Sequence, residues 1–253
     1  MRFASLGSGS RGNATLVQAG RTTVMVDCGF SISETEARLG RLGVTPGELA
    51  AILVTHEHSD HASGVGRFAA RHGIAVRCTG GTRAACLKLG FEAAEPFDSH
   101  EAFEIGDLKI IPVTVPHDAR EPVQFLFDAG AHRFGLLTDV GSLTPYIRRM
   151  YSGCGALLLE CNHDRDMLEN GPYPPSLKAR VGGPLGHLSN DQAGELLRGL
   201  DTQWLQHLVA AHLSEKNNTP ELARNALAEA VDCDPDWIQI AAQDSGLDWR
   251  EIS

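Results

Sequence analysis

Six apolar runs in this chain stop on an aspartate, a glutamate or a histidine. "TTVMV" stops at Asp27, "AAILVT" at His56, "KIIPVTVP" at His117, "RFGLLT" at Asp139, "ALLL" at Glu160 and "LQHLVAA" at His212. Short runs rich in Val, Ile and Leu read as strands covered on both faces. If these strands share one sheet system and run the same way, their ends gather along one edge. Side chains there are held by a rigid scaffold yet face a solvent cleft. Chance would scatter such residues along the strands.

Helical patterns fall between the runs, at 33–42, 63–72, 81–89, 189–200 and 220–231. The last is the clearest: Thr219 can cap it, Pro220 opens it, and Leu222, Ala223, Ala226, Leu227, Ala230 and Val231 form an apolar face. Strands mixed with helices at this density predict an α/β protein whose sheets are covered by helices. The 253 residues contain no repeat and no obvious linker, so 1–253 reads as one domain. No apolar run approaches the roughly 18 residues of a membrane helix. The first residues, "MRFASLGSGSRGN", lack the apolar stretch of a secretory signal, which predicts a cytoplasmic protein. Cys28, Cys78, Cys86, Cys154, Cys161 and Cys233 form no C-x-x-C pair and read as reduced, mostly buried thiols.

The densest cluster is "HEHSDH", residues 56–61. His56-Glu57 opens like the helical zinc motif H-E-x-x-H, but Asp60 stands where the second histidine belongs and the preceding run is a strand. His56, His58, Asp60 and His61 together exceed what one metal can use while keeping an open position. Two metals can share them. Mixed nitrogen and oxygen donors suit Zn²⁺, Mn²⁺ or Fe.

These residues resemble the metallo-β-lactamase superfamily. Asp27 in "VDCG", "HEHSDH", His117 in "VPHDA", Asp139 in "LTDVG" and His212 in "AHLS" follow its order along nearly the whole chain. The resemblance implies a four-layer αβ/βα sandwich of two mixed sheets, with two divalent metal ions at one edge. It implies that His56, His58 and His117 hold one metal, that Asp60, His61 and His212 hold the other, and that Asp139 bridges them. Asp60 thereby counts among the catalytic residues. Asp27 would orient the histidine loop without touching metal. Such a pair generates a nucleophile at neutral pH and polarises a carbonyl or phosphoryl oxygen, which is the chemistry of hydrolysis.

The substrate is a separate question, because this core serves lactams, thioesters and phosphodiesters alike. A bridging Asp139 argues against the true lactamases. "GHLSNDQAGELL" and "LVAAHLSEKNN" resemble the ribonuclease Z branch, which implies that Glu160 and His187 meet near the metals. A carboxylate-oriented histidine would protonate a leaving alkoxide; alternatively, Glu160 caps the sheet and His187 merely enters a helix. "SLGSGSRGNATLV", "ECNHD", "NGPYPPSLKARVGG" and "HLSEKNN" are similar to the YycJ/WalJ group. That likeness implies 5′-to-3′ exonuclease action on DNA, in some bacteria within repair.

The net charge of −10 argues against a broad basic surface but allows a local patch. Residues 170–187 contain Tyr173, Lys178 and Arg180 and no acid, and read as a loop that holds phosphates and stacks a base, or as an ordinary surface loop. In "GSGSRGN" the backbone N–H groups with Ser8, Ser10 and Asn13 could receive an anion, or the segment is a hairpin turn. Asn217 is a candidate substrate contact or a turn residue, and His163 could reach the cleft. A thioester hydrolase of the glyoxalase II kind, and a non-catalytic, metal-stabilised signalling partner, are the competing readings.

Overall fold

A computed structural model describes residues 1–253. The strands in chain order are β1 (Arg2–Gly7), β2 (Ala14–Ala19), β3 (Thr22–Val26), β4 (Leu49–Leu53), β5 (Ala75–Thr79), β6 (Glu95–Phe97), β7 (Phe103–Ile105), β8 (Leu108–Thr114), β9 (Val123–Ala129), β10 (His132–Leu137), β11 (Ala156–Glu160), β12 (His207–Ala211), β13 (Gln239–Ile240) and β14 (Leu247–Glu251). They form two seven-stranded sheets, ordered β14-β1-β2-β3-β4-β5-β6 and β13-β12-β11-β10-β9-β8-β7. The helices are α1 (Ile32–Arg41), α2 (Ser59–Ala62), α3 (Val65–His72), α4 (Gly80–Cys86), α5 (Pro145–Tyr151), α6 (Arg165–Asn170), α7 (Pro175–Val181), α8 (Asn190–Arg198) and α9 (Pro220–Val231).

The period-2 geometry of the strands explains the layers. In β11, Leu157 and Leu159 join a core with α5, α8 and α9, while Ala156 and Leu158 join the core between the sheets. In β12, Leu208 and Ala210 face the helices and Val209 and Ala211 face the other sheet. A third core lies under α1, α3 and α4, built on Leu16, Met25 and Ile52. The result is the expected four-layer αβ/βα sandwich. Between the sheets, Phe3 stacks on Phe134 with ring centroids 4.3 Å apart. Burying a phenylalanine there contributes about 1.5–3 kcal/mol.

Strand direction gathers the candidate ligands. The neighbours β3, β4, β5 and β6 are mutually parallel, as are β10, β11, β12 and β13. β8 and β10 both run antiparallel to β9, so they share a direction. Asp27 follows β3, His56 lies just past β4, His117 past β8, Asp139 past β10 and His212 past β12, while Glu160 closes β11.

Two local expectations need correction. Residues 170–187 are not one loop: α7 forms within them, because Pro175 fits a first helical turn and Ser-Leu-Lys-Ala-Arg continues it. In α9, Ala223, Leu227 and Ala228 are buried, but Leu222 turns outward and is 37% exposed. The Thr219 hydroxyl accepts from the Leu222 N–H, as expected for the cap.

Candidate metal centre

The hexapeptide sits on the turn from β4 into α2. The loop is fastened from both sides: the Asn13 N–H donates to the Asp60 carbonyl and the Cys28 N–H to the His61 carbonyl, both at 2.8 Å. His58 precedes α2, and Asp60 and His61 lie on it.

The outer ring nitrogens identify the inner ones. His61 Nδ1 donates to Asp27 Oδ2 at 2.8 Å. His56 Nδ1 donates to Thr55 Oγ1 at 2.9 Å, and that hydroxyl donates to Asp27 Oδ2. His117 Nδ1 donates to the Gly186 carbonyl at 3.1 Å and His212 Nδ1 to Glu160 Oε1 at 3.2 Å. Four rings are thus fixed with Nε2 inward. His58 is reversed: its Nδ1 faces His117 Nε2 at 3.2 Å and its Nε2 lies 3.6 Å from Asp118. Metal-binding imidazoles are held by acceptors in this manner.

The inner atoms fit cations. Ligand atoms of His56, His58 and His117 lie within 4.8 Å of one another, as do those of Asp60, His61 and His212, and those of His56, His61 and Asp139. Two nitrogens at about 2.05 Å from one tetrahedral Zn²⁺ stand about 3.3 Å apart, close to the spacing between His58 and His117. His56 Nε2 and Asp139 Oδ2 are buried with no hydrogen-bond partner. Asp139 Oδ2 is 3.2 Å from His61 Nε2, and its Oδ1 is 3.9 Å from His117 Nε2, so this carboxylate stands between the two groups. Burial, with neighbouring histidines, keeps His56 well below the usual imidazole range, so its lone pair is available.

Comparison with known proteins agrees with this geometry. Residues 22–212 match the beta-lactamase superfamily domain. Exodeoxyribonuclease YycJ of Bacillus anthracis is 33% identical over 92% of this chain and 89% of its own. Exodeoxyribonuclease WalJ of Streptococcus pneumoniae is 33% identical over 90% of this chain and 89% of its own. The metallo-beta-lactamase fold protein YhfI of Bacillus subtilis superposes with a TM-score of 0.76 over 99% of both chains at 17% identity.

The chain belongs to the metallo-β-lactamase-fold hydrolases.

In this metallo-β-lactamase-fold protein His58, Asp60, Asp139 and His212 line a cleft of about 320 Å³, with His56, His61 and His117 buried behind them. Glu160 is fully buried, and all its acceptor capacity is used: Oε2 takes the N–H groups of Val140 and Leu188, and Oε1 takes His187 Nδ1 at 2.8 Å and His212 Nδ1. Burial alone would raise this carboxyl. The His187 charge and the hydrogen bonds from His187 and His212 outweigh burial and hold it down at about 2. Glu160 thus fixes the orientation of both imidazoles, His187 and His212. Burial opposes charge on His187 as well, but Glu160 raises that imidazole overall. His187 lines the cleft, 3.6 Å from Asp139 Oδ1.

Ser10, Tyr173 and Arg180 also line the cleft, and three other candidates do not. Asn13 is 7% exposed; its amide braces the turn through Gly9 and reaches Asp60 Oδ2 at 3.2 Å, so it positions that candidate ligand. Asn217 is fully buried against Ser214. Lys178 points to the far side of α7 and donates to the Glu169 carbonyl. The anion-receiving turn is reduced to Ser10, because the N–H groups of Ser8, Gly9, Arg11, Gly12 and Asn13 already have protein acceptors. Ser8 serves differently, its Oγ accepting from the His212 N–H at 2.9 Å. His163 is buried away from the cleft, and burial pushes it down to about 4.

Asp118 was missed by sequence reasoning. It follows His117, lines the cleft, and accepts from Arg180 Nε at 2.6 Å. Its position beside a ligand histidine, opposite the one basic segment, was the available signal.

Proposed function

We propose that this chain, acting as one domain over residues 1–253, is a two-metal phosphodiesterase that degrades DNA from a 5′ end. The observation that carries the reading is His187, fastened to Glu160 and lining the same cleft as His58, Asp60, Asp139 and His212. Such a residue serves a reaction whose leaving oxygen needs a proton. DNA as the substrate draws its support from two relatives named exodeoxyribonucleases.

His56, His58 and His117 would hold one cation, Asp60, His61 and His212 the other, and Asp139 would touch both. When bound, Zn²⁺ or Mn²⁺ supplies Lewis acidity toward a phosphoryl oxygen and lowers the pKa of water. The chain's own residues do the rest. Glu160 fixes the His187 proton at Nδ1 and favours the imidazolium, leaving the Nε2 proton to pass to the departing alkoxide. Arg180 binds a substrate phosphate through its guanidinium, held in place by Asp118. Tyr173 offers a face on which a base stacks. Ser10 and Ser214 supply hydroxyls on the wall near His212. No helix is long and apolar enough to cross a membrane, and a cytoplasmic location suits the role.

The test supplies metal-loaded protein with 5′-phosphorylated duplex DNA, RNA, a lactam and a glutathione thioester. DNA shortening that a chelator and Asp60→Ala both abolish is the expected result. Rapid thioester turnover with intact DNA under every candidate metal would replace this reading with a glyoxalase II-like one.

A further inference from the structure

α7 separates two cavities. It has no buried side chain. Leu177, Arg180 and Val181 face the cleft, while Lys178, Ala179 and Gly182 face a second cavity of about 390 Å³. Helical periodicity requires the split, since 177, 180 and 181 share one stripe and 178 and 182 another. The far wall of the second cavity is His163, Arg165, Leu168, Glu169 and Gln192.

His163 distinguishes this cavity from an ordinary surface dimple. It is 3% exposed and lines the cavity wall; its Nδ1 lies inward with no hydrogen-bond partner, so no protein acceptor anchors the ring and its other nitrogen, Nε2, is the one turned toward the cavity. Native proteins leave few buried polar atoms unpaired, so a histidine held by no protein acceptor at either nitrogen is unusual in a purely structural role. A Cβ on Gly182 would lie 3.9 Å from His163 Nε2, so the ring borders the cavity where α7 ends. Two cations flank it. Lys178 Nζ donates to the Glu169 carbonyl at 2.6 Å. Arg165 Nε donates to Ser189 Oγ at 3.3 Å and stands 3.4 Å from Asp191 Oδ2. These tethers hold both heads at the rim and leave N–H donors free on each. Glu169 and Asp191 offset part of the charge, which suits an exchangeable grip on a moving strand.

We propose that His163, Arg165 and Lys178 form a second phosphate subsite, which holds the nucleic-acid backbone after it crosses α7 from the cleft. This deepens the nucleic-acid reading and rests on it for the identity of the ligand; the phosphate chemistry stands separately. A helix with its side chains is about 10–12 Å across, the rise of about three nucleotides of a duplex strand. The phosphate held here is then about three positions from the one at the metals.

Two measurements test it. Protein labelled with ¹⁵N-histidine is titrated with inorganic phosphate, and binding of a nuclease-resistant phosphorothioate octanucleotide and trinucleotide is followed at several salt concentrations. The variant combines Lys178→Gln with Arg165→Gln; neither residue is buried, and neither touches a proposed metal ligand. Phosphate should shift the His163 ring signals in the wild type and not in the variant. The variant should bind the octanucleotide about tenfold more weakly, with a salt slope smaller by about 1.4, for two contacts at about 0.7 each on a single strand. The trinucleotide should lose much less. An octanucleotide affinity and slope equal to wild type, or His163 signals that phosphate leaves unmoved, overturns the subsite. If no oligonucleotide binds the wild type yet phosphate still shifts His163 in a Lys178- and Arg165-dependent manner, the subsite stands and the nucleic-acid reading falls.

Discussion

Asp27, Asp139 and His212 each adopt the left-handed backbone region, with φ of 60°, 53° and 55°. All three leave a strand and turn straight into the centre. For a residue with a Cβ this costs roughly 1–2 kcal/mol, and it persists only where the surroundings hold it. Asp27 is held by the Thr55 N–H and hydroxyl and by His61; His212 is held by Ser8. Asp27→Asn isolates the charge, because asparagine tolerates this backbone. Losing the carboxylate behind His61 Nδ1 should weaken metal binding about 10–100-fold, read by competition with a chromophoric chelator; wild-type affinity would remove Asp27 from the centre. The proton-donor role of His187 has a sharper signature. His187→Asn should lower kcat on DNA by about 10²–10⁴ while bound metal stays constant. A phosphodiester with a nitrophenolate leaving group needs no proton, so its rate should fall far less. Equal losses on both substrates would assign His187 to positioning.

Three segments interlock beneath the candidate metal ligands at the scale of elements: the turn between β1 and β2, the start of the loop after β3, and the hexapeptide. The Asn13 N–H meets the Asp60 carbonyl, the Gly29 N–H meets the Asn13 carbonyl, and the Cys28 N–H meets the His61 carbonyl. Gly29 is the tightest point, since a Cβ there would land inside contact distance of the Asp60 carbonyl. Gly29→Ala should push α2 away, lowering stability by about 1–3 kcal/mol and reducing bound metal at the group of Asp60, His61 and His212. Calorimetry with metal analysis checks both, and full metal content with an unchanged melting temperature would contradict the interlock. What was legible in the sequence follows from the same physics. Strands covered on both faces must be continuously apolar, so the point where apolarity stops marks the strand end and hence the candidate ligand. The turn before β2 reads as an anion cradle because glycine and serine serve either purpose; only the tertiary acceptors, Gln243 and Asp60 among them, reveal that most of its amides are taken. Lys178 and Arg180 look equivalent as letters, but a helix sends them to opposite sides. That helix was hidden by prolines that read as loop and here open it.

Across the whole molecule, the thiols report how the layers are sealed. Cys154 and Cys161 lie in the core under α5, α8 and α9; Cys28, Cys78 and Cys86 lie in the core under α1, α3 and α4. All five are buried and free, and Cys233 alone is half-buried. Burial pushes Cys28 and Cys86 up to about 11 and Cys78 and Cys154 up to about 12, from an ordinary value of 9.0. These thiols stay protonated and unreactive in the folded chain. Iodoacetamide at neutral pH should therefore modify Cys233 first, and the other five only after denaturant opens both helix-covered cores. Ready native labelling of Cys161, beside Glu160, would mean that the α8–α9 layer opens easily. The same shifts set an alkaline limit. A thiol whose folded pKa is raised contributes stability that is complete below about 9 and declines as pH climbs toward the folded value, because the unfolded chain ionises first. For Cys28 alone, two units correspond to on the order of 2–3 kcal/mol. Denaturant midpoints should thus be level between pH 7 and 8 and fall steadily from pH 9 to 11. In Cys28→Ala that fall should be shallower, and an identical fall in both proteins would place the alkaline weakness elsewhere.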